Sequence, residues 1–117
     1  MGRRVSPPPD LGTSGRELWA ACLGRDEALK DEYNPMRRVL LEACRVADHL
    51  DELHASVDDA LMVQGPDGLR AHPGLAQIRT FRALLVRLLG VLRMPDPVTG
   101  KRPQSRGGFR RNYSPRG

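Results

Sequence analysis

The chain has 117 residues, 39% of them hydrophobic, with only two Phe, two Tyr and one Trp, and a formal net charge of +5. That length accommodates one domain with a small core, and a core of that size rarely supplies more than about 3–5 kcal/mol by itself, so self-association is an expected source of further burial. No apolar run reaches the roughly 18 residues of a spanning helix, and no charged start, apolar run and small-residue cleavage site occur in order, so neither a membrane span nor a secretory signal is expected.

The charge is uneven. Residues 1–16 are net +2, residues 17–96 net −3, and residues 97–117 net +6 with no acidic side chain. Basicity gathered at the ends predicts arms that meet a polyanion. The N-terminal stretch 1–13 holds Pro7-Pro8-Pro9 between glycines and reads as a flexible arm, with a site for a proline-binding module as the lesser alternative. Gly2 and Ser6 also stand in register for the loose myristoylation pattern, a short pattern that arises often by chance.

A first helix is predicted from Ser14, whose spacing to Glu17 is that of a capping box. Leu18, Trp19, Cys22 and Leu23 form one face, Trp19 anchors it on the two later helices, and Gly24 is the expected stop. Residues 25–33 are charged and read as a connection, with Ala28 and Leu29 in a short turn. Asn34-Pro35 then opens a long helix, Asn34 as cap and Pro35 in the first position, where a missing N–H costs nothing. From Met36 to about Met62 neither proline nor glycine interrupts. Val39, Ala43, Val46, Ala47, Leu50, Leu53, Val57 and Leu61 share an arc of roughly 120°. Cys22 and Cys44 lie in these helical patterns and read as buried thiols, ahead of a disulfide, which suits an intracellular protein.

Gln64-Gly65-Pro66-Asp67-Gly68 breaks the pattern with two turn signals, and a small β-hairpin within 61–71 is an option. His72-Pro73 opens a last helix as Asn34-Pro35 opened the previous one, and Pro95 and Pro97 close it. This helix carries Leu75, Ile78, Leu85, Leu89 and Leu92 beside a second stripe of Phe81, Leu84, Leu88 and Val91. Together they span roughly 200° of the helix surface at about 100° per residue. One partner helix covers about half of that, so Phe81, Leu84, Leu88 and Val91 are the candidate oligomer interface. The fold class expected is all-α: a short N-terminal helix and a long antiparallel hairpin, together a helical oligomerisation domain over 14–96, in a homo-oligomer.

The long helix is polarised against its own dipole, with Arg37, Arg38 and Arg45 early and Asp48, Asp51, Glu52, Asp58 and Asp59 late. An antiparallel hairpin brings Arg79 and Arg82 beside the acidic half and gathers Arg37, Arg38, Arg45, Arg87 and Arg93 at the other end. From that end leaves the stretch 97–117, expected to be a disordered basic tail. Lys101, Arg102, Arg106, Arg110, Arg111 and Arg116 suit phosphate neutralisation, and Phe109 or Tyr113 suits base stacking. Protein docking is the competing use of such a tail, and a solvated surface the bland reading of any single arginine. These eleven cations are the candidate DNA-binding residues.

Nothing in the sequence assembles catalytic chemistry. Cys44, His49 and His54 are five apart, each turned about 140° from the last on a helix, and cannot share a metal. Gly12 to Gly15 is too short for a phosphate loop and lacks its lysine, and no nucleophile elbow exists. No enzymatic activity, cofactor or metal is expected.

Four pieces of sequence, in order, resemble one family: Gly15-Arg16-Glu17-Leu18-Trp19; Leu41-Glu42-Ala43-Cys44-Arg45-Val46-Ala47-Asp48 with Leu50 and Leu53; Ala71-His72-Pro73; and Arg87-Leu88-Leu89-Gly90-Val91-Leu92-Arg93-Met94-Pro95. Over about residues 13–96 the chain is similar to small terminase subunits of tailed phages, above all the group in phages and prophages of high-GC bacteria. The resemblance implies a helical ring in the host cytoplasm that recognises double-stranded phage DNA and recruits or regulates the large terminase subunit, which holds the ATPase and nuclease. The chain departs from many such subunits in having no clear N-terminal helix-turn-helix. A helical adaptor that assembles with another protein and touches no nucleic acid is the alternative.

Overall fold

A computed structural model, which describes residues 5–103, places the helical hairpin at the centre of the molecule. The longest helix, α2 (Met36–Asp59), starts as its sequence dictates: Pro35 holds helical dihedrals and the Asn34 side-chain oxygen accepts the Met36 N–H at 3.0 Å. The Asn34 amide also donates to the Ala28 carbonyl at 2.9 Å, pinning the preceding connection. The last helix, α3 (Gly74–Leu92), repeats the device with an imidazole. His72 Nδ1 accepts the Gly74 N–H at 2.8 Å, which leaves the proton of the neutral ring on Nε2, 3.0 Å from Ser56 Oγ.

The first helix, α1 (Thr13–Arg25), begins one residue earlier than expected and without the Ser14–Glu17 box, since no side chain of its own first turn caps it. Two N–H groups at its start are met from another element. The two carboxylate oxygens of Asp48 on α2 accept from Gly12 N and Gly15 N, each at 2.7 Å. An acidic residue at the middle of α2 thus lies against the positive end of α1, where it stabilises that helix. Gly24 does not stop α1, which ends one residue on at Arg25. A single 3₁₀ turn (Glu27–Lys30) comes next, capped by Asp26 and burying Leu29.

Between α2 and α3 the chain forms β1 (Met62–Gly65) and β2 (Gly68–Ala71), paired antiparallel from Met62 with Ala71 to Gly65 with Gly68. The two-residue turn Pro66-Asp67 needs a left-handed residue after it, and Gly68 supplies it at φ 110°. The all-α expectation therefore holds only in its coarse form: the protein is mostly helical with one small two-stranded sheet. Because the hairpin takes up Met62, α2 ends short of it at Asp59, and Leu61 leaves the apolar stripe to stand 59% exposed.

Two apolar clusters hold the helices together. Near the start of α2, Leu40 and Cys44 pack with Trp19, Cys22 and Leu23 of α1, and with Leu29 and Leu92. Farther along, Leu50 and Val57 pack with Ile78, joined by Phe81 and Leu85. Leu92 near the start of α2 and Ile78 near its end make the α2–α3 pair antiparallel, as expected. α2 is buried on two sides, which is why Leu40 and Cys44, outside its main stripe, are fully enclosed.

Part of the segment read as a flexible arm is packed. Leu11 is 3% exposed in the α1–α2 cluster, Val5 packs against that cluster, and the Val5 carbonyl accepts the Trp19 indole N–H at 3.2 Å.

Both cysteines are free and buried. Burial pushes the Cys22 thiol up, and burial with the neighbouring Cys22 and Asp48 pushes Cys44 up to about 12. Neither thiol is therefore expected to react with a maleimide in the folded protein near about pH 8, and both should react once denaturant opens the core. Rapid labelling of the native protein would contradict the burial described.

Candidate functional site

The hairpin end formed by the start of α2 and the close of α3 carries the expected cations, and the structure sorts them by what they already hold. Arg37 lies over the Trp19 ring, its guanidinium carbon 5.1 Å from the ring centroid. Arg38 pairs with Glu42 at 2.8 Å, one turn along α2. Arg45 lies between Asp10 at 3.4 Å and Glu42 at 4.0 Å. Such exposed pairs contribute little to stability, but they lower the positive potential these side chains present.

Arg102 departs furthest from expectation. Its place in a basic tail predicts a free side chain, yet both its terminal nitrogens reach Asp26, each at 2.8 Å from a carboxylate oxygen. One of them also donates to the Arg93 carbonyl at 3.0 Å. Asp26 is 4% exposed, so its charge is tolerated only because this fork and the Ala28 N–H satisfy it. The Arg102 guanidinium, helped by that N–H, holds the Asp26 carboxyl below the usual range although burial pushes the other way.

The chain arrives at this clamp by a tight path. Arg93 ends α3 in the left-handed region at φ 49° and donates from Nε to the Pro103 carbonyl at 3.0 Å. Arg25 at the end of α1 donates to the Pro95 carbonyl at 2.8 Å. Asp96 organises the intervening turn by accepting the Val98 and Thr99 N–H groups, and those two bonds lower its own pKa. Residues 97–103 therefore fold back on the ends of α1 and α3, where a disordered tail was expected. Of the proposed cations, Arg87 and Lys101 are exposed and hold no ion pair among the described residues. Arg106, Arg110, Arg111 and Arg116, with Phe109 and Tyr113, lie outside the described residues.

The candidate oligomer interface divides in the same way. Phe81, half-buried, packs inward: it lies against the Leu50–Val57–Ile78 cluster and meets the His49 ring edge-on, 4.7 Å between centroids. Its helix position borders the inner face, and α2 claims it. Leu84 and Leu88 are half-buried, and Val91 is 48% exposed. Val86, absent from that stripe, is 66% exposed on the other side of α3.

The antiparallel pairing sets the Arg79–Arg82 stretch of α3 beside the acidic half of α2, as expected, though neither arginine makes an ion pair among the described residues. Sequence reading also missed Asp26, whose partner is 76 positions away, so that no local pattern could announce it. Among the described residues no helix is long and apolar enough to cross a membrane.

In comparisons with known proteins, the chain matches no family model, no curated protein and no solved structure.

Proposed function

We propose that the protein is a non-catalytic, oligomeric, DNA-binding subunit of a phage packaging machine, equivalent to a small terminase subunit. The observation that carries this reading is the flank of α3 formed by Leu84, Leu88 and Val91, which its own chain leaves half-covered or open beside a cationic hairpin end. Apolar surface of that kind, continuous along a helix, favours burial against another copy. Copies joined there bring their cationic ends and C-terminal segments together, and a polyanionic duplex then meets many arginines at once. The large terminase subunit, with its ATPase and nuclease, is the proposed protein partner, and the host cytoplasm the proposed location.

The test joins two measurements. Light scattering at micromolar concentration should find oligomers, and Leu84→Asp with Val91→Asp should yield folded monomers. A mobility-shift titration should find DNA binding that weakens steeply with salt. Deleting residues 104–117 leaves the Asp26–Arg102 clamp in place and should flatten that salt dependence, since each lost phosphate contact lowers the slope by about 0.9. A wild-type protein that is monomeric overturns the assembly, and one that leaves DNA unshifted overturns the nucleic-acid reading.

The second reading, a helical adaptor without nucleic-acid binding, is favoured by one finding. Arg37, Arg38, Arg45, Arg93 and Arg102 are all engaged within the chain. An oligomer that fails to shift DNA selects it.

A further inference from the structure

While the hairpin end ties up most of its cations, three arginines on one helix stay unengaged. α3 contains Arg79, Arg82 and Arg87 and no acidic residue over its whole length. All three are exposed, and among the described residues none makes an ion pair or a side-chain hydrogen bond.

Their placement on the helix is not scattered. At about 100° per residue, α3 divides into three faces. Phe81, Ile78, Leu85, Leu89 and Leu92 point inward, as their burial and packing record. Leu84, Leu88 and Val91 form one flank. Arg79, Arg82 and Arg87 fall with Ala76, Ala83 and Gly90 on the remaining arc of roughly 140°, which also carries the exposed Leu75 and Val86 between Arg82 and Arg79. The three small residues lie between Arg79 and Arg87 around the helix, and a Cβ added at Gly90 would meet nothing within 4 Å. Among the described residues these positions are all exposed.

We infer that this outer face of α3 is a docking surface for a nucleic-acid duplex, with Arg79 and Arg82 gripping phosphates at one end and Arg87 at the other. Eight residues separate Arg79 from Arg87, about 12 Å along the axis, which is close to the roughly 12 Å width of a major groove. Charge complementarity selects the occupant: three cations with no acid on their helix suit a phosphate backbone, which supplies the sequence-independent part of duplex affinity. The surface is distinct from the Leu84–Leu88–Val91 flank, so one helix serves self-association on one side and the duplex on the other. It is also distinct from the C-terminal segment, which becomes an additional contact.

This inference rests on the reading that the protein binds DNA, and its test separates the two. In a mobility-shift titration of the full chain with a duplex of random sequence, the variant Arg79→Gln/Arg82→Gln/Arg87→Gln should bind at least about tenfold more weakly than wild type. Its salt slope should fall by about 2–3, near 0.9 per lost phosphate contact. Gly90→Glu, which adds one negative charge where the fold leaves open space, should also weaken binding without lowering the melting temperature. It decides the question should the triple variant unfold. Wild-type affinity and salt slope in these variants would overturn the α3 surface while leaving DNA binding itself intact. A triple variant with lowered stability and undiminished DNA binding would assign the arginines to the acidic half of α2 and overturn the proposal as well. A wild-type protein that binds no duplex overturns both readings.

Discussion

Alanine at position 15 is expected to lower stability by about 2–3 kcal/mol, although alanine is the better helix former and a glycine replaced in a helix ordinarily gains up to about 1 kcal/mol. The sign reverses because α1 crosses α2 at this residue. A Cβ on Gly15 would lie 2.5 Å from Asp48 Oδ2 and 2.9 Å from the Cys44 carbonyl, one a side chain that could swing away and the other backbone that could not. Moving the carboxylate breaks its 2.7 Å bonds to Gly12 N and Gly15 N, and α1 loses the only side-chain cap its N-terminus has among the described residues. Gly24→Ala is the matched control in the same helix. Nothing lies within 4 Å of its added Cβ, so that variant should gain about 0.5–1 kcal/mol. Asp48→Ala alone should cost about 1–2 kcal/mol through the lost cap. Combined with Gly15→Ala it should cost less than the two separate losses together, because the nearest obstacle has been removed. Urea titration of the four variants measures each quantity. Equal gains from Gly15→Ala and Gly24→Ala would mean that α1 does not approach α2 as described.

Loss of the Asp26 carboxylate should have the next largest effect, and one that depends on pH. Asp26→Asn keeps the shape but gives up the charge-assisted fork to Arg102, and should cost about 1–2 kcal/mol near neutral pH, the lower figure because Arg102 is 38% exposed and water screens the pair. The folded-state pKa of Asp26 is depressed. Its contribution is therefore complete above the unfolded value of about 3.9 and is lost as pH falls through the lower folded value. The gap between wild type and Asp26→Asn should narrow steadily below about pH 4 and close where the native carboxyl takes up its proton. The same variant should speed tryptic cleavage after Lys101, because the 97–103 segment is tied to the ends of α1 and α3 through this clamp. A stability difference that stays constant between neutral and acid pH would show that Asp26 holds no ion pair in the native state.

The architecture is legible in the sequence wherever its causes are local. Asn34-Pro35 and His72-Pro73 mark helix starts because each cap and its N–H lie two residues apart, and both caps form. The antiparallel α2–α3 hairpin arises from two apolar stripes and a turn-rich break. The β-hairpin within 61–71 is only an option at that level: Gly-Pro and Asp-Gly signal a turn, while the residues beside them are too few to show a period of two. The Ser14–Glu17 box misleads for the converse reason. Its residues suit the motif, but the helix starts at Thr13 and a carboxylate from α2 accepts the Gly12 and Gly15 N–H groups instead.

Of the candidate site, the sequence alone determined how charge is distributed: which arginines exist, that the last helix carries no acid, and that its apolar arc exceeds what one neighbour covers. Those are matters of composition and periodicity, carried by each residue with its near neighbours along the chain. Only the tertiary structure decided which charges are already spoken for. Arg102 meets Asp26 across 76 positions and Asp48 meets Gly12 across 36. Phe81 packs inward because α2 lies on its side of the helix, and Arg79, Arg82 and Arg87 make no ion pair among the described residues. Pairing of charges depends on distances of a few ångströms between elements far apart in the chain, and only the packed fold specifies those distances.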